Sequence, residues 1–312
     1  MIFVQLPGNP YLCEMVNKNL TSGLFPLLAV IVALSLSGTA TAQVLYEPEE
    51  IQYQAPQVPE SMVFAGQTYR FDRPDLYERM DREFIAFTYS HTNSTLMLKR
   101  AHRIFSQIVP ILKKNGVPED LKYLMAIESN LDPRAVSTAG AGGLWQFMKG
   151  TGREYGLEVN DEVDERFHIA KATEAACQYL KDAYAKYGDW MTVAASYNAG
   201  QNGISRRIDA QQQSLAMDLL LPEETSRYMF RVLTAKYFFE HPEKFGYHID
   251  PAARYPYKAP SQTVEVSEPL PSLADFAQEH GTSFYLLRMA NPWLRSDHLT
   301  NKSGKTYFIA IP

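Results

Sequence analysis

From Asp75 onward apolar residues recur every three or four positions: Leu76, Met80, Phe84 and Phe87, then Leu96, Leu98, Ile104, Ile108 and Leu112. That period is the mark of helices with one buried face. Further helical runs follow to about Asp250 with no alternating pattern between them, which predicts an all-α body. The stretch before it, Val44 to about Asp72, is rich in Pro, Glu, Gln and Tyr without a sustained period and reads as a linker or loosely draped arm. After Pro251 the composition shifts again. A short β-like piece (263–266), two helical stretches (272–280 and 283–290) and a terminal β-like piece (305–311) predict a small βααβ module. The fold class expected is therefore mainly α, with residues 43–99 as linker and helical arm, 100–250 as the helical domain and 251–312 as the module.

The first 42 residues follow a different logic. Lys18 precedes an apolar stretch from Leu24 to Leu36, then come Ser-Gly-Thr-Ala-Thr-Ala and Gln43. This reads as a secretory signal cleaved after Ala42. The apolar run is short of the roughly 20 residues that cross a bilayer core. Translation starts at Met1 or at Met15. An exported chain is the expectation, in the periplasm or cell envelope, with peripheral association with membrane or cell wall compatible with it.

Composition removes several classes. Of 312 residues, 46% are hydrophobic and 21% charged, as in globular proteins. The net charge of −5 argues against a nucleic-acid partner, whose footprint is a strong basic excess. Two cysteines occur, Cys13 in the signal segment and Cys177 in a helical run, so the mature monomer has no disulfide framework and Cys177 reads as a buried thiol. The seven histidines have no ligand-like spacing with Cys or carboxylates, so no metal and no cofactor is expected.

Chemistry enters at VPEDLKYLMAIESNLDP, residues 117–133. Pro118 suits a first helical position, Glu119 and Asp120 favour the helix N-terminus, and Asn130 with Pro133 marks the stop. On the helical wheel Glu128 shares the face of Leu121, Leu124 and Met125, one turn from the C-terminal end. Desolvation and the helix dipole both raise the pKa of such a carboxyl, as a proton donor to a glycosidic oxygen requires. Taken alone, a Glu near a helix end is more often a solvated surface residue.

The next segment, Ser137 to Met148, has three glycines in four positions, which allow close backbone approach and positive φ, followed by Trp145, Gln146, Phe147 and Met148 as stacking surface and amide. An ordinary tight turn into a core helix is the competing reading. Farther on, DWMTVAASYNAGQNGI places Tyr197 and Asn198 at the end of a small-residue helix closed by Gly200, and LPEETSRYMF supplies Glu224 and Tyr228 at helical spacing. Either pair is as readily structural as functional.

In this order and at these distances, the Glu-Ser pair, PRAVSTAGAGGLWQFM, AASYNAG and ETSRY resemble the family 1 lytic transglycosylases, over about residues 100–245. The flanks DREFIAFTYS, LKRAHRIF, GDW and HPEKFGY resemble the subgroup typified by membrane-bound lytic murein transglycosylase D. Residues 273–294 are similar to the helical part of a LysM peptidoglycan-binding domain, without the usual Gly-Asp-Thr turn. The resemblance implies a lysozyme-like helical domain acting on peptidoglycan glycan strands. It further implies Glu128 as the catalytic acid and Ser129, Ser137, Gln146, Met148, Tyr197, Asn198, Glu224 and Tyr228 as residues that bind substrate or frame the site. Trp145 stands where many relatives carry Met. The implied reaction cleaves the β-1,4 bond between N-acetylmuramic acid (MurNAc) and N-acetylglucosamine (GlcNAc) and leaves a 1,6-anhydro end. A classical glycosidase needs two flanking carboxylates, and the core motif supplies one. Two alternatives stay open: a hydrolase of the lysozyme-like fold with Glu224 or Asp132 placing water, and a non-catalytic peptidoglycan-binding protein.

Overall fold

The computed structural model describes residues 54–312, and the expected signal segment lies outside them. Ten helices and two two-stranded sheets make up these residues. No helix among them is long and apolar enough to cross a membrane.

The first correction falls on the segment read as an arm. β1 (Ser61–Phe64) and β2 (Gln67–Arg70) pair antiparallel with Phe64 opposite Gln67. Ala65 and Gly66 both take positive φ, the two-residue turn that matches strand twist. Met62, Phe64, Tyr69 and the following Phe71 point into the same core as the helices. Asp120 anchors the turn by accepting the Ala65 N–H at 2.8 Å. The alternation was present in MVF and TYR, but the Pro- and Gln-rich surroundings masked it.

α1 (Pro74–Tyr89) and α2 (His91–Lys114) bury the faces their spacing predicts, except that Leu96 is only half-buried. They share one continuous core with α3 (Leu121–Ser129), α5 (Ile169–Tyr187), α6 (Trp190–Ala199) and α8 (Glu223–Glu240), so the helical body begins well before residue 100. α4 (Lys149–Glu154) and α7 (Gln201–Gln211) lie at its periphery. α6 is hydrophobic on all sides because α5, α7 and α8 surround it. Cys177 is fully buried on α5, and burial pushes its thiol up to about 11, as befits an inert core residue.

The C-terminal unit has the strand order expected. β3 (Gln262–Val266) pairs antiparallel with β4 (Tyr307–Ile311), and α9 (Leu273–Glu279) and α10 (Phe284–Ala290) lie between them in sequence. Ser272 and Ser283 cap these helices by accepting the Asp275 and Leu286 N–H groups. Leu273, Leu287, Leu294 and Ile309 form a second small core.

Candidate active site

α3 carries the candidate acid. It starts at Leu121 rather than at Pro118, because Pro118–Asp120 forms a tight turn whose carbonyls accept the first helical N–H groups. Asp120 is engaged sideways with Lys236, at 3.0 Å, as well as with the hairpin. At the other end Asn130 and Leu131 both adopt left-handed φ and stop the helix immediately after Glu128 and Ser129. Leu121, Leu124 and Met125 have no exposed surface, so the apolar stripe predicted for Glu128 is there.

Glu128 itself is half-buried. Its one hydrogen-bond partner among the described residues is the Tyr228 hydroxyl, which donates to Oε1 at 2.5 Å. Desolvation raises the carboxyl to about 7, against the opposing pull of the Tyr228 hydrogen bond and the positive charge of Arg231, while the Glu224 charge pushes the same way as burial. No Lys, Arg or His among the described residues lies within ion-pair distance. Tyr228 is buried, and with Glu128 beside it its phenol stays protonated far above neutral pH.

Glu224, Tyr228 and Arg231 occupy successive turns along α8, and all three act electrostatically on Glu128 across the α3–α8 packing. Arg231 was not anticipated. The spacing Glu224–Tyr228–Arg231 on one helical face was the signal that could have found it.

The glycine loop runs from Ser137 to Met148. Gly140 and Gly143 take positive φ, and a Cβ on Gly143 would sit 1.9 Å from the Arg166 carbonyl oxygen. Gln146, also at positive φ, donates its amide to the carbonyls of Ala135 (3.1 Å) and Gly143 (2.7 Å), and its side-chain oxygen has no hydrogen-bond partner among the described residues. Tyr197 donates to the Trp145 carbonyl at 2.5 Å, tying α6 to the loop, and its phenol feels the Glu128 charge.

Several expected roles change. Trp145 and Phe147 are core residues, not stacking surface: Trp145 has no exposed area and its indole N–H donates to the Thr173 hydroxyl at 2.9 Å. Ser129 is buried with its hydroxyl donating to the Met125 carbonyl one turn back. The Ser137 hydroxyl accepts the Ala141 N–H at 3.0 Å and closes the glycine loop. Asn198 accepts the Thr225 hydroxyl at 2.9 Å. Met148 is exposed at the start of α4. Among the described residues no group of His, Cys, Asp or Glu is arranged to hold a metal ion. A concavity of about 950 Å³ lies behind α3, lined by Phe105, Tyr123 and Tyr247 among others, and does not include Glu128.

Comparison with known proteins identifies two domains in the chain. Residues 108–219 match the transglycosylase SLT domain, a span that holds Glu128, Gln146 and Tyr197 but ends before Glu224 and Tyr228. Residues 262–312 match the soluble lytic transglycosylase C-terminal LysM-like domain. Membrane-bound lytic murein transglycosylase D of Escherichia coli is 29% identical over 221 residues, 68% of this chain and 47% of that protein. Peptidoglycan transglycosylase gp16 of Escherichia phage T7 is 38% identical over 90 residues, 28% of this chain and 7% of that one. The 70 kDa soluble lytic transglycosylase structure from Escherichia coli aligns over 54% of this chain and 31% of its own at 17% identity, with a TM-score of 0.39. The chain spans about half the length of the curated transglycosylase D that it matches. The chain thus carries a transglycosylase SLT domain followed by a LysM-like domain of the soluble lytic transglycosylase type.

Proposed function

We propose that the protein is a lytic transglycosylase that cleaves the β-1,4 bond between MurNAc and GlcNAc in peptidoglycan and leaves a 1,6-anhydroMurNAc end. The observation that carries this reading is a half-buried carboxyl, Glu128, poised at about 7 with a tyrosine hydroxyl as its only hydrogen-bond partner among the described residues. Protonated, Glu128 gives its proton to the bridging oxygen as the bond from C1 to that oxygen breaks, while the substrate's own N-acetyl group stabilises C1. As the anion, it takes the proton from the MurNAc C6 hydroxyl, whose oxygen closes on C1. The carboxyl returns to its starting state and no water is consumed. Tyr228 supports the anionic half of the cycle. Gln146 and Met148 line the sugar path, and intramolecular attack supplies the proximity advantage.

Export by the segment before Gln43, with residence in the periplasm or cell envelope, completes the proposal. The Glu224 charge felt at Glu128 favours one second reading, a hydrolase in which Glu224 places a water. Asp132 is the weaker choice because Arg100 and Arg134 flank it and it accepts the Arg134 N–H.

Mass spectrometry of fragments released from purified sacculi separates the readings, because anhydro ends are one water lighter than reducing ends. Wild type is expected to give anhydro ends only, and Glu128→Gln to lose about 10²–10⁴-fold in rate. Reducing ends from wild type, or more than about a tenth of the activity retained by Glu128→Gln, would sink the proposal.

A further inference from the structure

The C-terminal unit is built into the helical body. Its small core takes in two side chains of the body, Val163 and Phe167. Val163 bridges Leu294, the Asp164 N–H donates to the Trp293 carbonyl at 2.8 Å, and the Arg295 N–H donates to the Glu162 carbonyl at 2.7 Å. The Glu162 carboxylate accepts both the N–H and the hydroxyl of Thr300, each at 2.7 Å. Glu158 accepts from Lys305 at 3.0 Å and from the Tyr307 hydroxyl at 3.1 Å.

The same turn grips the glycine loop from its other side. Arg166 forms a buried two-pronged pair with Asp164, at 2.9 and 2.7 Å, which aims its remaining nitrogen at the loop. That nitrogen donates to the carbonyls of Gly140 and Phe147, both at 2.8 Å. Gly142 lies against the Phe167 ring so closely that an added Cβ would meet it at 2.8 Å. Residues 158–167 are therefore clamped by the C-terminal unit on one side and clamp the loop that presents Gln146 on the other.

We infer that the C-terminal unit is a structural part of the active site: through the Asp164–Arg166 pair it positions the Gln146 loop, so loosening it lowers turnover and not merely substrate capture. Arg166 is the positioning residue of this relay. A unit that served only to tether the protein to polymer would need neither backbone hydrogen bonds to the body nor a share of the loop's support.

The experiment uses the full chain with Glu162→Ala, which removes the Thr300 contacts, and Val163→Asp, which puts a charge against Leu294. Hydrogen exchange is followed at Leu299 and Tyr307 for the unit and at Gly142, Gly143 and Gln146 for the loop. Kinetics are measured on a soluble tetrasaccharide of the glycan repeat, an arm that rests on the transglycosylase reading. Where the unit loosens, the loop amides should exchange at least about tenfold faster and kcat should fall roughly five- to tenfold with KM little changed. Glu162→Gln, which keeps an acceptor for Thr300, should recover most of both. The inference fails if the unit loosens while the loop stays protected, if kcat is unchanged and only KM moves, or if the unit stays protected in both substitutions. Should Val163→Asp unfold the whole chain, Glu162→Ala decides. Wild type that yields no anhydro ends would overturn the activity reading and leave the exchange result standing.

Discussion

Asp164 and Glu128 are both carboxylates withdrawn from water, and they are treated in opposite ways. Asp164 is nearly inaccessible and has a guanidinium locked onto both its oxygens. Glu83 on α1, 1% exposed, is likewise met by Arg227, and Glu165 by Lys171. Glu128 alone of these has a neutral hydroxyl and, among the described residues, no cation in ion-pair range. A buried ion pair holds structure, whereas a desolvated carboxyl without a cation, as at Glu128, keeps its proton toward neutral pH. The same chain neutralises its structural carboxylates and leaves the candidate acid unmatched. Arg231, near enough to be felt but not to pair, marks the limit of that permission.

The comparison can be broken first at its structural side. Asp164→Asn strips the charge facing buried Arg166 and should cost roughly 3–5 kcal/mol in denaturant unfolding. A loss below about 1 kcal/mol would mean that the pair is no more than a surface ion pair in effect.

The functional side should respond with the reverse sign. Because the folded state holds Glu128 at about 7, above its ordinary 4.5, ionisation costs the fold stability. That cost is absent below the ordinary value, grows as pH rises between the two, and is full above 7. Relative to wild type, Glu128→Gln should therefore gain on the order of 3 kcal/mol on going from pH 4 to pH 8. Equal stability curves for the two proteins across that range would show that Glu128 is not desolvated.

The smallest effect sharpens the contrast. Tyr228→Phe removes the one donor to the anion, so kcat/KM should drop by about tenfold, on the scale of one hydrogen bond to a charged group. Its fall above neutral pH should begin at higher pH than in wild type, since loss of that bond raises the carboxyl further. A pH profile unmoved by the substitution would remove Tyr228 from the machinery.

Much of this was legible in the residues themselves. The spacing from Leu76 to Leu112 forecast α1 and α2, and the helical stretches read at 272–280 and 283–290 match α9 and α10, because these signals are local. The hairpin at 61–70 was missed although its alternation was visible, since four-residue strands are stabilised by the helices they pack on and not by their own propensity. Trp145 was misread for a related reason. An aromatic beside glycines looks the same on paper whether it faces a cleft or, as here, Thr173 in the core.

What the sequence determined by itself was the helical period, the stop after α3, and the placing of Glu128 on an apolar stripe one step before that stop. These depend on neighbours within a turn or two. Tertiary structure alone decided that no cation among the described residues pairs with Glu128, that a tyrosine 100 residues away bonds to it, and that the C-terminal unit and the glycine loop share one turn of chain. Charge pairing and desolvation are set by distances through space, and the linear order of residues does not contain them.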